Sequence, residues 1–210
     1  MSYYSTHTSI PNLMFIHTPK TAGTSVEAWF WQVYGRENVV IHKHAPLRYR
    51  NLRDMDMFKF SVVRNPFSRA VSWYQQGLSL ILLDEAIKRF RIDGLTQEAW
   101  DKGFDYFIQT FYDRDGVNPG DDILISPAYT QFYYVSIDDK IAVDKIIRFE
   151  NLEEEFKEIE QMVGTNYGLQ RLKVGPSDKL RDWKSVYTPT SKKLIEEIYK
   201  KDLEVFNYGF

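Results

Sequence analysis

Lys20, Thr24 and Ser25 lie within Phe15-Ile16-His17-Thr18-Pro19-Lys20-Thr21-Ala22-Gly23-Thr24-Ser25, where an apolar run passes into a hydroxyl-rich turn that opens a helix. A turn of this kind attracts phosphate or sulfate. The first N–H groups of a helix have no acceptor inside it, and the macrodipole adds roughly half a positive charge at that end. Lys20 contributes a full charge beside them. The expected cradle is therefore the backbone of Thr21, Ala22, Gly23, Thr24 and Ser25, helped by the hydroxyls of Thr24 and Ser25. Thr24 followed by Glu27 reads as a capping box that starts the helix just after Gly23.

A second segment carries matching chemistry. Phe60-Ser61-Val62-Val63 is an apolar run that ends in Arg64-Asn65-Pro66. Asn65 as cap and Pro66 at the first helical position start another helix, and on it Arg69, Ser72 and Trp73 share a face by their three- and four-residue spacing. Arg64 as a planar fork and Ser72 as a neutral donor suit a terminal phosphate.

The elements that must position these groups alternate. Strand Leu13 to His17, helix Thr24 to Tyr34, strand Val39 to Ile41, a short helix around Leu47 to Arg53, strand Phe58 to Val63 and a helix from Pro66 form a βαβ rhythm. That rhythm predicts a parallel sheet flanked by helices, with ligands at the carboxyl ends of the strands. Asp84 to Tyr112 reads as mostly helical, and the turn-rich stretch from Asp113 to Gly120 as a break. A late strand, Ile141 to Phe149, precedes an acidic helix that buries Leu152, Phe156, Ile159 and Val163 and sends its glutamates to solvent. Gly164 to Thr188 reads as a loop, and the last helix, from Thr190, as burying Leu194, Ile195, Ile198 and Leu203.

Taken together, the His17-to-Ser25 and Phe60-to-Tyr74 segments resemble two motifs of sulfotransferases that use 3′-phosphoadenosine 5′-phosphosulfate (PAPS): the 5′-phosphosulfate loop and the 3′-phosphate-binding segment. The form is closest to the glycan-type enzymes, whose loop usually reads His-Ile-Pro-Lys-Thr-Gly-Gly-Thr-Ser. Here Thr18 and Ala22 replace the commoner Ile and Gly. Weaker resemblance continues through Arg148-Phe149-Glu150-Asn151-Leu152 to the terminal Asp202-to-Phe210 segment. It implies a P-loop-like, three-layer α/β fold in which residues 1–210 form a single sulfotransferase domain.

The resemblance also implies a chemistry. Lys20 would face the bridging oxygen of PAPS, the cradle its 5′-phosphate, and Arg64 with Ser72 its 3′-phosphate. An acceptor hydroxyl needs a base, and histidine is the side chain best matched to neutral pH. His42 and His44 in Ile41-His42-Lys43-His44-Ala45-Pro46 are the candidates, with His44 preferred because its surroundings resemble those of related enzymes. His17 is expected to shape the loop, and His7 to lie in a frayed terminus. Ser177 and Lys179 would close over the adenosine half. Tyr129-Thr130-Gln131-Phe132-Tyr133-Tyr134 reads as core or as an aromatic platform for a sugar acceptor.

Other classes fit less well. A P-loop kinase needs Gly-x-x-x-x-Gly-Lys-Ser/Thr and an acid for magnesium. Lys20 precedes the last glycine of its turn instead, and Arg64 stands where the acid is wanted. Glu150 keeps the nucleotide kinase as an alternative, and a non-catalytic PAPS- or nucleotide-binding protein is another. A net charge of −2 excludes broad nucleic-acid binding, although Lys43, Arg48, Arg50, Arg53, Lys59, Arg64 and Arg69 outnumber Asp54 and Asp56 between positions 43 and 69. Without cysteine, disulfides and thiolate chemistry are excluded, and no His, Asp or Glu cluster has metal-ligand spacing. The start lacks a basic region followed by a long apolar run, so the expectation is a soluble, cytoplasmic chain, or one whose anchor has been removed.

Overall fold

The computed structural model describes residues 2–5, 13–42, 45–48, 56–81, 102–112, 129–170, 172 and 182–210. In chain order these form β1 (Ser2–Ser5), β2 (Leu13–Ile16), α1 (Gly23–Tyr34), β3 (Val39–His42), β4 (Phe58–Val63), α2 (Pro66–Ile81), α3 (Phe104–Tyr112), α4 (Gln131–Val135), β5 (Ser136–Ile137), β6 (Lys140–Ile141), β7 (Lys145–Arg148), α5 (Leu152–Glu155), α6 (Lys157–Val163), α7 (Pro189–Ile198) and α8 (Lys200–Val205). They fall into two units, Met1–Arg64 with Asp121–Lys173, and Asn65–Gly120 with Val174–Phe210.

The first unit is built on a five-stranded sheet of order β3-β1-β2-β4-β7. β2, β4 and β7 are parallel, as the βαβ rhythm predicts. β1, which the sequence reading missed, lies antiparallel between β2 and β3. Side chains alternate across a strand, so Leu13, Phe15, Phe60, Val62 and Ile147 face one side, where they share a core with Val26, Trp29, Phe30 and Tyr34 of α1 and with Phe156 and Ile159. The positions in α1 recur at helical spacing, which is why this stretch folds as an amphipathic helix on the sheet. Met14, Ile16, Ser61 and Val63 face the other way and are equally buried, so the central strands are covered on both faces. Burial pushes the Tyr34 phenol up to about 12.

Several expectations are corrected here. The late strand divides into β6 and β7, because Asp144 between them turns to β4: its carboxylate accepts from the Lys59 N–H at 2.6 Å and its N–H donates to the Lys59 carbonyl at 2.8 Å. Leu47 and Arg48 form a turn, and residues 49–53 of the expected short helix lie outside the described residues. The acidic helix is not wholly solvated on its glutamate side. Glu160 is 7% exposed, and its Oε1 accepts from Trp29 Nε1 at 3.0 Å and from the Gly168 N–H at 2.7 Å.

The second unit gathers α2, α3, α7 and α8. Asn65 caps α2 as expected, its Oδ1 accepting from the Phe67 N–H at 3.0 Å. Thr188 and Ser191 form a capping box at the start of α7. Phe67, Trp183, Tyr187 and Phe210 pack ring against ring. The Tyr187 hydroxyl donates to the Phe67 carbonyl at 2.8 Å, and burial, with Tyr199 nearby, pushes that phenol far up. On α7 and α8 and at their C-caps, Ile195, Tyr199, Asp202 and Phe206 are buried, while Leu194, Ile198 and Leu203 are only half-buried. Within Gly164 to Thr188, Trp183–Val186 forms a short 3-10 turn.

Glu160→Ala removes the acceptor for a buried indole N–H and a half-buried backbone N–H and should cost about 1.5–3 kcal/mol, the range for hydrogen bonds to a charged group. Glu154→Ala, at an exposed position of α5, should stay within about 0.5 kcal/mol. Urea unfolding of the two variants measures the difference, and equal midpoints would contradict the structural role of Glu160.

Candidate active site

β2 and β4 stay in register up to Ile16 and Ser61, and after Ile16 the chain leaves the ladder while still buried. Hydroxyls then replace the ladder. Ser61 Oγ donates to the Ile16 carbonyl at 2.6 Å, and Thr18 Oγ1 donates to the Val62 carbonyl at 2.6 Å. Thr21 Oγ1 donates to the Thr18 carbonyl at 2.8 Å and lies 2.8 Å from Thr18 Oγ1. Both threonines are 0% exposed, so the Thr21 side chain is committed to holding the turn.

The turn itself is left-handed at two non-glycine residues, Lys20 with φ 71° and Ala22 with φ 67°. Left-handed residues alternating along a turn are a feature of nests, backbone concavities whose successive N–H groups bind anions. Ala22 is the cap residue of α1, and no side chain caps the helix. The expected capping box is therefore absent: α1 begins at Gly23, Thr24 lies inside its first turn, and Glu27 faces His17 Nδ1 at 3.8 Å. The Ser25 N–H donates to the Ala22 carbonyl at 2.9 Å, which narrows the expected cradle to the N–H groups before it. Ser25 Oγ accepts from the Leu172 N–H at 3.3 Å and keeps its own proton to donate.

His17 has the shaping role expected for it. Its ring stacks on Phe15 at 5.4 Å, and it leaves no room for a side chain at position 23, where a Cβ would stand 1.8 Å from His17 Cε1 and Nε2. Gly23 is thus required by close approach.

Arg64 follows the last ladder pair of β4, Val63 with Arg148. Its guanidinium carbon stands 4.3 Å from the centre of the Phe149 ring, and Nη1 lies 3.5 Å from the Lys20 carbonyl oxygen. Lys20 and Arg64, predicted separately from two motifs, are thereby brought to the same end of the sheet. Gln131, which the sequence reading treated only as part of an aromatic run, bonds to both backbone groups of Arg64.

The remaining candidates divide. His42 ends β3, paired in register with Ser2. His44, Ser177 and Lys179 lie outside the described residues, as does His7. Ser72, in the second unit, is 6% exposed on α2, on the same face as the buried Arg69. The aromatic run is core: Tyr129, Phe132 and Tyr134 are buried. Tyr133 has Tyr129 stacked at 4.5 Å and the Arg48 guanidinium at 3.9 Å, which must occupy opposite faces of its ring, so neither face is open to a sugar.

Over residues 7–209 the sequence matches the model of the sulfotransferase family, and the chain belongs to that family. No curated protein and no solved structure matches it. Membership makes it an enzyme of sulfuryl transfer, with a hydroxyl-bearing acceptor. Among the described residues no helix is long and apolar enough to cross a membrane.

Gly23→Ala forces the His17 ring out of place and should cost about 1–3 kcal/mol, the usual penalty for overpacking. His17→Ala made in the same chain should recover part of that loss, giving a favourable coupling in thermal unfolding. Strictly additive losses would show that the two residues do not meet.

Proposed function

We propose that this sulfotransferase moves the sulfuryl group of PAPS to a hydroxyl of a carbohydrate acceptor. The observation that carries the reading is the meeting of Arg64 with the Lys20 turn at the carboxyl ends of two adjacent parallel strands. Two cations and a nest of N–H groups at one sheet end match a ligand with several anionic groups. An arginine in place of an acid at the end of β4 favours phosphate over a magnesium ion.

In this reading the backbone of Thr21, Ala22, Gly23 and Thr24, with the hydroxyls of Thr24 and Ser25, takes the 5′-phosphate. Arg64 takes the 3′-phosphate, a role the motif resemblance extends to Ser72. Lys20 neutralises the bridging oxygen as its bond to sulfur breaks, a charge that develops only in the transition state. His44, or failing it His42, accepts the acceptor proton while the new sulfur–oxygen bond forms in line. The leaving group is 3′-phosphoadenosine 5′-phosphate. Ser177 and Lys179 are assigned to the adenosine half on the resemblance alone. Residues 1–210 act as one catalytic domain, a reading supported by a family match that runs through both units. The glycan acceptor rests on the form of the phosphosulfate loop.

Calorimetry tests the donor. Metal-free 3′-phosphoadenosine 5′-phosphate should bind more tightly than ATP with Mg²⁺, and Arg64→Ala should remove that preference. A wild-type preference for ATP with magnesium would instead support a nucleotide kinase with Glu150 at its centre. For the chemistry, Lys20→Ala should lower turnover by on the order of 10² to 10³, as for a lost preorganised donor. His44→Ala should lower it by about 10² to 10⁴, the range for a lost general base. Wild-type turnover in the His44 variant would move the base to His42. Tight binding without transfer to any acceptor in a broad screen would identify a non-catalytic binder.

A further inference from the structure

We infer that Gln131 is a positioning residue that aims Arg64 at the 3′-phosphate. This rests on the role proposed above for Arg64. The β4–β7 ladder closes at Val63 and Arg148, so Arg64 is the first residue of β4's continuation without a neighbouring strand in that register. Gln131 takes the strand's place. Its Oε1 accepts from the Arg64 N–H at 2.7 Å and its Nε2 donates to the Arg64 carbonyl at 2.8 Å.

These two bonds fix the peptide planes on both sides of one Cα. The direction of the Arg64 side chain is then set before any ligand arrives. A primary amide presents a donor and an acceptor together while adding no charge beside a cation. A carboxylate could only accept, and a lysine could only donate.

The support behind Gln131 is rigid. It is 0% exposed and is the first residue of α4, which Thr130 caps by accepting from the Tyr133 N–H at 3.1 Å. Phe132, Tyr134 and Val135 bury the rest of that helix, and the Tyr134 carbonyl accepts from the Leu47 N–H at 2.9 Å. At the other end of the arginine, Phe149 and the Lys20 carbonyl bracket the guanidinium. Backbone and head group are therefore both located, and the flexible stem has little freedom left. Groups that recognise a ligand lose effect when their orientation drifts by even ten or twenty degrees, which is why such a clamp matters for recognition.

The test compares 3′-phosphoadenosine 5′-phosphate with adenosine 5′-phosphate, which lacks only the 3′-phosphate, by calorimetry on wild type, Gln131→Met and Arg64→Ala. Gln131→Met is apolar and close in volume. It should weaken the bisphosphate by about 10-fold, the low end for a displaced charged hydrogen bond, and leave adenosine 5′-phosphate unchanged. In an Arg64→Ala background it should no longer alter the ratio of the two affinities. Should Gln131→Met fail to fold, Gln131→Asn retains the amide one methylene short, and it should lower the ratio while still binding adenosine 5′-phosphate. A purely structural role would lower the melting temperature and leave the ratio intact, which would overturn the inference. A wild type that fails to prefer the bisphosphate would overturn the role of Arg64 itself.

Discussion

Where β2 and β4 leave the sheet, the chain stays buried after β2 and half-buried after β4, and the backbone N–H and C=O groups there need partners that no strand supplies. Side chains meet that demand: Ser61 at the Ile16 carbonyl, Thr18 at the Val62 carbonyl, and Gln131 at both groups of Arg64. Each bond is worth only about 1 kcal/mol net, but leaving such a group unpaired costs about 1–3 kcal/mol, so the sites are strongly determined. The same bonds place Lys20 and Arg64 at one end of the sheet. Backbone satisfaction and the placing of these two cations are here one constraint, and a substitution cannot disturb the first without moving the second.

Concentrating cations at a sheet end works against folding unless their charge is spread or screened. Arg64 lies over the Phe149 ring, a contact worth roughly 0.5–1 kcal/mol, and close to a carbonyl. Both contacts hold the head group at the end of β4, beside the turn that carries Lys20.

Much of this was legible in local sequence. β2, α1, β4 and the start of α2 follow from apolar runs, helical spacing and the Asn65-Pro66 start signal, all of which act within a few residues. Lys20 and Arg64 were legible because strand ends are marked by these same patterns. What was missed depends on distant partners. Ser2–Ser5 has no apolar alternation of its own and becomes a strand only because β2 and β3 flank it. Glu160 reads as one of many solvated glutamates, and its burial is decided by Trp29, which is 131 positions away. Gln131 was hidden among aromatic residues for the same reason, 67 positions from the backbone it serves. The false capping box at Thr24 shows the converse: its local signal was correct in type, but the left-handed Ala22 begins the helix earlier.

The turn between β2 and α1 holds Lys20 and Ala22 in a left-handed conformation that non-glycine residues resist, at a cost of roughly 1–3 kcal/mol each. Strain of that size persists only where its surroundings over-determine it. They do so here through the Thr18–Thr21 hydroxyl pair below the turn and the His17 ring packed against Gly23 beside it. The strain is therefore met during folding, and in the proposed reading the donor would meet a turn already held in its binding shape. Flexible glycines would adopt the same shape without strain, but they would also leave it more easily. Thr18 gains its meaning in this light. An isoleucine would fill the buried space equally well, whereas the hydroxyl ties the strained turn to the strand that carries Arg64. The Lys20 turn and the guanidinium then answer to one frame, which in the proposed reading would hold the two halves of the donor site in register.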